Sequence, residues 1–259
     1  MPIITFSCEK NYRDYLINSL KISILSKNKN ITFLDISTQI SPFEIVEAAL
    51  ILRNTFRTLP EGSIHFIFVQ NIIDIKHPPL IFRYANHYFI TADNGFISLF
   101  LRDDKPQEVV RLNSDIFLSP YSEISYYPDV VTKILHGKSL KEIGLPENKY
   151  LEYRFPKPFF DKKNIKGIIL YFDSYQNIIS NIFKSDFERY KSYNHFILSI
   201  QYTTLTIKKI NHYYHEVLSG EVFALFNNFN LLEIGQYNGK IKETYHLKKQ
   251  LRISIEFYD

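Results

Sequence analysis

The side chains able to do acid–base or ligand chemistry in this 259-residue chain are scattered, with no strong local motif. His212 and His215 flank a tyrosine pair as His-x-x-His. Two imidazoles at that spacing could start a zinc site, but no carboxylate or cysteine cluster joins them at ligand spacing. A packing or surface role is expected for the pair, and no metal. Cys8 is the only cysteine, which excludes an intrachain disulfide and a cysteine zinc site and fits a reducing compartment. There is no glycine-rich phosphate loop, serine nucleophile elbow or paired-carboxylate motif. The amide- and carboxylate-rich stretches are Asp93-Asn94-Gly95, the Asp173, Asn177, Asn181 series and Asn227-Asn228. Local turn chemistry is one reading of each, because Asn and Asp hydrogen-bond nearby backbone and tolerate left-handed conformations.

Elements that could position these residues are legible along the chain. Residues 1–145 alternate strand and helix patterns: strands over Ile3–Ser7, Ile31–Asp35 and Ile64–Val69, and helices over Asp14–Ser26 and Asp129–His136. Ser41-Pro-Phe-Glu44 reads as a helix start, with Ser at the N-cap and Pro at the first helical position, the helix running to about Arg57. A hairpin is expected across Ala85–His87, and a short helix from Asn94-Gly95 to Leu101. Residues 146–164 are polar and carry Pro146, Pro156 and Pro158, which reads as a linker. From Ile165 to 259 short β patterns dominate: Gly167–Phe172, Phe196–Ile200, Glu221–Phe226, Leu231–Ile234 and Leu251–Phe257. The expected fold is α/β: a layered, Rossmann-like N-terminal domain over 1–145, the linker, and a small C-terminal β-barrel domain over 165–259.

Hydrophobic residues are 45% of the chain and charged residues 22%, as in an ordered globular protein. The 31 basic residues are interspersed with 27 acidic ones, and Lys248-Lys249 with Arg252 is too short a cluster for a nucleic-acid surface. No basic-then-apolar leader begins the chain, and no apolar run approaches the roughly 18 residues of a membrane span. A soluble, cytoplasmic protein is expected, with neither nucleic acid nor membrane as partner.

Two stretches, Asp35–Ala49 and His87–Leu101, bracket Pro60–Val69. In order and spacing they resemble the S-adenosylmethionine (SAM) hydroxide adenosyltransferases, relatives of the fluorinating and chlorinating SAM enzymes. The likeness runs over nearly the whole chain and is densest over 31–101. It implies an N-terminal α/β domain, a C-terminal β-barrel and a homotrimer, with SAM or adenosine bound between subunits. SAM would be substrate or ligand, and no other cofactor is implied. The implied reaction is displacement at the ribose C5′ carbon, with methionine leaving as a neutral thioether. Such a leaving group needs no general acid, so the demands are positioning and a desolvated nucleophile.

The resemblance also maps site residues. The catalytic Asp of the family falls on Gln70 in Val69-Gln70-Asn71-Ile72-Ile73-Asp74, and Gln cannot act as a carboxylate base. Asp74, four residues on, reaches the site only if the loop is rebuilt. The family's Arg falls in Lys76-His77-Pro78-Pro79, where Lys76 or His77 could carry charge without a guanidinium fork. The family's His falls on Ser122 in Tyr121-Ser122-Glu123-Ile124. Ser122 is a polar loop residue, a water-orienting residue, or a halide contact as in the fluorinating relatives.

Implied substrate contacts are Glu9, Phe43, Asp93, Asn94, Asp173, Asn177 and Asn228. Glu9, in Cys8-Glu9-Lys10-Asn11, keeps a carboxylate that can accept from two vicinal ribose hydroxyls, or is a solvated loop residue. Phe43 packs on the nucleoside, or packs in the core as a staple on the helix start. Asp173, Asn177 and Asn181 match the family's Asp-x-Phe-Gly-Asn-x-x-Thr-Asn, with Gln176 in place of Gly. Asn228 and Asn230 replace Ser and Gly in a segment whose backbone meets adenine. Three functions stay open: a SAM-cleaving enzyme with a rearranged site, a non-catalytic nucleoside-binding scaffold (a pseudoenzyme), and halide-dependent adenosyl transfer resting on Ser122.

Overall fold

The structure, a computed structural model, describes residues 1–9, 14–113 and 122–259. Lys10, Asn11 and Tyr121, parts of the motifs above, lie outside the described residues. The chain divides into two compact units, Met1–Phe155 and Pro156–Asp259.

The first unit contains β1 (Ile3–Glu9), α1 (Asp14–Lys27), β2 (Thr32–Ile40), α2 (Ile45–Thr55), β3 (Ile64–Phe68), β4 (Pro79–Tyr84), β5 (His87–Ala92), α3 (Phe96–Leu101), β6 (Glu108–Arg111), α4 (Ser122–Leu135) and β7 (Leu145–Pro146). They form one sheet in the order β2-β1-β3-β5-β4-β6-β7. The pairs among β2, β1, β3 and β5 are parallel, and β4, β6 and β7 join antiparallel. The apolar run of β3 is explained by burial on both faces. Ile64, Phe66 and Phe68 pack with Leu20 and Ile24 of α1 and Tyr127 and Val131 of α4. Ile67 and Val69 pack with Ala48 and Leu52 of α2 and Phe100 of α3. Helices therefore cover both faces of a mixed sheet, the layered α/β arrangement. Residues 146–155 belong to this unit: Tyr150 and Phe155 pack against the α2/α3 side.

Two helix boundaries differ from the sequence reading. α2 begins at Ile45, not Ser41, because Phe43 takes a left-handed φ of 65° that no helix accommodates. The Ser41 N–H is instead bonded by the Glu47 carboxylate. α4 begins at Ser122, not Asp129, and runs through Pro128. The ring costs one helical bond, and buried Tyr127, Val130, Val131 and Ile134 on the same helix offset it. The hairpin turn is a two-residue one, Ala85 and Asn86 both having positive φ.

The second unit contains β8 (Phe159–Phe160), β9 (Asn164–Phe172), β10 (Ile178–Phe183), α5 (Lys184–Phe187), β11 (His195–Ile200), β12 (Thr206–Ile207), β13 (Val222–Phe226), β14 (Leu231–Gln236), α6 (Ile241–Thr244) and β15 (Arg252–Tyr258). The strands pair antiparallel in the order β12-β11-β15-β9-β10-β14-β13, with β8 on β9. They form a nearly closed barrel filled by Ile165, Ile169, Ile178, Leu198, Ile234 and Ile253 among others. β10 had no strand signal, because buried Ser180 and Asn181 interrupt its apolar alternation. Among the described residues no helix is long and apolar enough to cross a membrane.

Candidate functional site

In open α/β sheets ligands bind beyond the carboxyl ends of the parallel strands. Here that edge gathers Glu9 at the end of β1, Phe43 after β2, the loop Gln70–Pro78 after β3, and Asp93-Asn94-Gly95 after β5. The topology thus brings together six of the ten residues singled out from sequence: Glu9, Phe43, Gln70, His77, Asp93 and Asn94. Ser122 opens α4, whose next residue Glu123 accepts from Asn71 Nδ2 at 2.9 Å, so the helix start is tied to the same loop. Ser122 is buried as a helix residue, not a loop residue.

Glu9 holds this edge together. Its Oε1 accepts the backbone N–H of Phe43 at 2.7 Å and of Gln70 at 2.6 Å. Both residues have left-handed backbones, φ 65° and 46°. Non-glycine residues persist there only when neighbours hold them, and the shared carboxylate does so for both. Phe43 is 65% exposed, so it does not pack in the core. Glu9→Ala is expected to destabilise the first unit by about 2–3 kcal/mol, two charge-assisted bonds being lost from strained loops. Glu9→Gln, which keeps the oxygen, is expected to recover at least half. Thermal unfolding of the two variants measures the difference, and equal losses would rule out this role for the oxygen.

Asn94 is also occupied structurally. Its Nδ2 donates to the Val69 and Gln70 carbonyls and its Oδ1 accepts from Phe96 N. It joins the end of β3 to the start of α3. Gly95 (φ 89°) lies under the Tyr153 ring, where a Cβ would sit 2.3 Å from ring carbon. Asp93 Oδ1 accepts from Leu151 N at 2.7 Å, and burial pushes its carboxyl above the usual range.

Between these loops lies a cavity of about 250 Å³. Gln70, Asp74, His77 and Asn94 supply its polar wall; Ile72, Leu151 and Tyr153 supply its apolar wall. Sequence reading missed Leu151 and Tyr153 because they lie in a stretch with no regular pattern. The loop after β3 places Asp74 on the cavity wall. Its Oδ1 accepts from Lys76 N and His77 N, both at 2.7 Å, and pairs with His77 Nδ1 at 3.0 Å. The His77 N–H, helped by that of Lys76, holds the Asp74 carboxyl below the usual range, against an opposing effect of desolvation. Cys8, just before Glu9, is no nucleophile: burial pushes its thiol to about 12.

The second unit has its own polar cluster. Asp173 Oδ1 accepts from Tyr175 N and Asn177 N. Asn177 Nδ2 donates to Asp173 Oδ2 at 3.3 Å and to Glu233 Oε1 at 3.1 Å. Burial raises both carboxyls and pushes the Tyr214 phenol to about 12, with the Glu233 charge beside it adding to the rise. Glu233 and Tyr214 escaped the sequence reading of the site; the only signals were the Leu-Leu-Glu segment and the His-flanked tyrosines. Asn181 bridges backbone, accepting from Ile168 N and donating to Pro156 O. Gln176 (φ 67°) and Asn230 (φ 56°) stand where the resemblance has glycine, so the left-handed turns persist without it. Asn228 sits exposed on the turn that Asn227 closes by accepting from Phe229 N and Leu231 N. Among the described residues no three His, Cys, Asp or Glu side chains group as metal ligands.

Residues 4–144 match the model of the SAM hydroxide adenosyltransferase N-terminal domain, and residues 167–254 that of its C-terminal domain. The chain is 21% identical over 249 residues to the (R)-S-adenosyl-L-methionine hydrolase of Methanocaldococcus jannaschii, covering 92% of this chain and 89% of that one. Its fold matches an uncharacterized conserved protein from Thermotoga maritima with a TM-score of 0.80 at 17% identity, over 98% and 99% of the two chains. A conserved hypothetical protein from Thermus thermophilus matches with a TM-score of 0.70 at 16% identity, over 99% and 100%. Both domain models fall in order and cover most of the sequence, so the chain belongs to the SAM hydroxide adenosyltransferase family.

Proposed function

We propose that the protein binds SAM and hydrolyses it to adenosine and methionine. The observation that carries this reading is the cavity at the carboxyl ends of β3 and β5, walled by polar groups on one side and by Ile72, Leu151 and Tyr153 on the other. An apolar wall with a few convergent polar groups suits a nucleoside and a desolvated nucleophile. The hydrolase from Methanocaldococcus jannaschii supports the choice of water as nucleophile. Asp173, Asn177 and Asn228 of the second unit contribute ligand contacts in a homotrimer, Glu9 and Phe43 of the first unit facing them across the subunit boundary. Gln70 and Ser122 line the path of the attacking water without acting as bases.

A binding-only reading has one specific observation in its favour: the neutral Gln70 occupies the position the resemblance assigns to a carboxylate. Incubation of the purified protein with each sulfonium epimer of SAM, with and without chloride, separates the readings. Adenosine and methionine are expected in equal amounts, independent of chloride. Tight binding without turnover would establish the scaffold reading, and 5′-chloroadenosine the halide one.

A further inference from the structure

We propose that Asp74 and His77 form a dyad in which His77 takes the proton of the attacking water and Asp74 positions the imidazole. The proposal rests on the hydrolase reading and names the base that Gln70 cannot be.

The loop after β3 builds the pair locally. One carboxylate oxygen bonds two successive backbone N–H groups and the His77 ring. The Asp74 N–H returns to the His77 carbonyl, closing the four-residue loop. A carboxylate at Nδ1 favours the tautomer with the proton on Nδ1, leaving Nε2 as the acceptor. Both side chains line the cavity with Gln70 and Asn94, and both stay partly open, His77 at 42% and Asp74 at 50% exposure. An imidazole buried like His65 would be neutral but out of reach of solvent-derived water; this one is not.

The step balances without further reagents. A water lone pair forms the O–C5′ bond as the C5′–S bond breaks. The electron pair of that bond goes to sulfur and neutralises the sulfonium. The water proton passes to His77 Nε2 and then to solvent. Adenosine, methionine and one proton result.

The charged groups around His77 are Asp74 on its own loop, the adjacent Lys76, and Asp93 after β5, whose carboxyl interacts with the ring.

The test is kcat and KM for SAM between pH 5 and 9 in the wild-type chain, His77→Gln and Asp74→Asn. Asp74→Asn keeps an oxygen for the two backbone N–H groups, so a loop-staple role alone predicts little change. The dyad predicts that His77→Gln lowers kcat by roughly 10²-fold or more with KM nearly constant, and abolishes the acid limb. It predicts that Asp74→Asn lowers kcat about tenfold and moves the acid limb to lower pH, since the imidazolium loses a carboxylate partner. Circular dichroism checks that each variant folds; should His77→Gln not fold, the limb shift in Asp74→Asn decides alone. Wild-type kcat in His77→Gln, or an unmoved acid limb in Asp74→Asn, overturns the dyad and leaves the hydrolase reading standing. A wild-type chain that releases no adenosine overturns both.

Discussion

Lowering the pH from 7 to 4 is expected to cost the first unit roughly 3 kcal/mol of stability through His65 alone. His65 lies on β3 with no exposed surface, its Nδ1 2.7 Å from Thr5 Oγ1 and its Nε2 3.1 Å from His87 Nδ1. Rings of Phe56 and Phe89 surround it. Burial, with the neighbouring His87, pushes its pKa down to about 3; burial lowers His87 too. The folded-state value is thus below the unfolded one of about 6.5. The neutral ring's contribution is complete above pH 6.5 and is lost as pH falls toward 3, because only the unfolded chain readily takes the proton. Thermal unfolding followed by circular dichroism across this range measures it. The double variant Thr5→Val/His65→Phe replaces both hydrogen-bonding partners with apolar groups and should flatten the acid limb. An acid limb identical to wild type would overturn the assignment.

The second unit carries groups of opposite sign. Asp173 and Glu233 have raised folded-state values, so their contribution is present below the unfolded carboxylate range and lost as pH rises through the raised values.

Gly235→Ala is expected to destabilise the second unit by about 2–3 kcal/mol, at the upper end of overpacking costs. A Cβ there would lie 2.2 Å from Asn177 Oδ1 and 2.3 Å from Phe223 Cζ, both in buried side chains. Neither is the free end of a flexible chain. Asn177 would have to move, breaking its bridge between Asp173 and Glu233. If Asn177 holds the ligand as proposed, loss of SAM or adenosine binding accompanies the loss of stability, read by calorimetry below the unfolding temperature. Wild-type stability in the variant would show that β14 yields at this point and that the bridge does not depend on it.

How far the sequence went can be judged on particular residues. The apolar run of β3 and the helical spacing of α1 were legible because hydrophobic periodicity is a local property that burial preserves. The start of α4 at Ser122, ahead of the expected Asp129, was not legible, since local propensity opposes a helix across Pro128 and only the packing of Tyr127 and its neighbours decides for one. Ser41 and Pro42 suggested too early a start for α2, because the left-handed backbone of Phe43 is held by a carboxylate 34 residues away.

Family membership, the order of α/β and β-rich halves and the exclusion of a cysteine metal site were determined by the sequence alone, since they depend on residue order, composition and spacing. Only the tertiary structure decided that Glu9 ties two strained loops, that Asp74 turns back onto His77 at the cavity, and that Asn177 bridges two carboxylates. Apart from the short Asp74–His77 turn, these contacts join residues 34, 61 and 56 positions apart. No local pattern encodes such pairings; they arise when strands align and bring their carboxyl ends to a common edge.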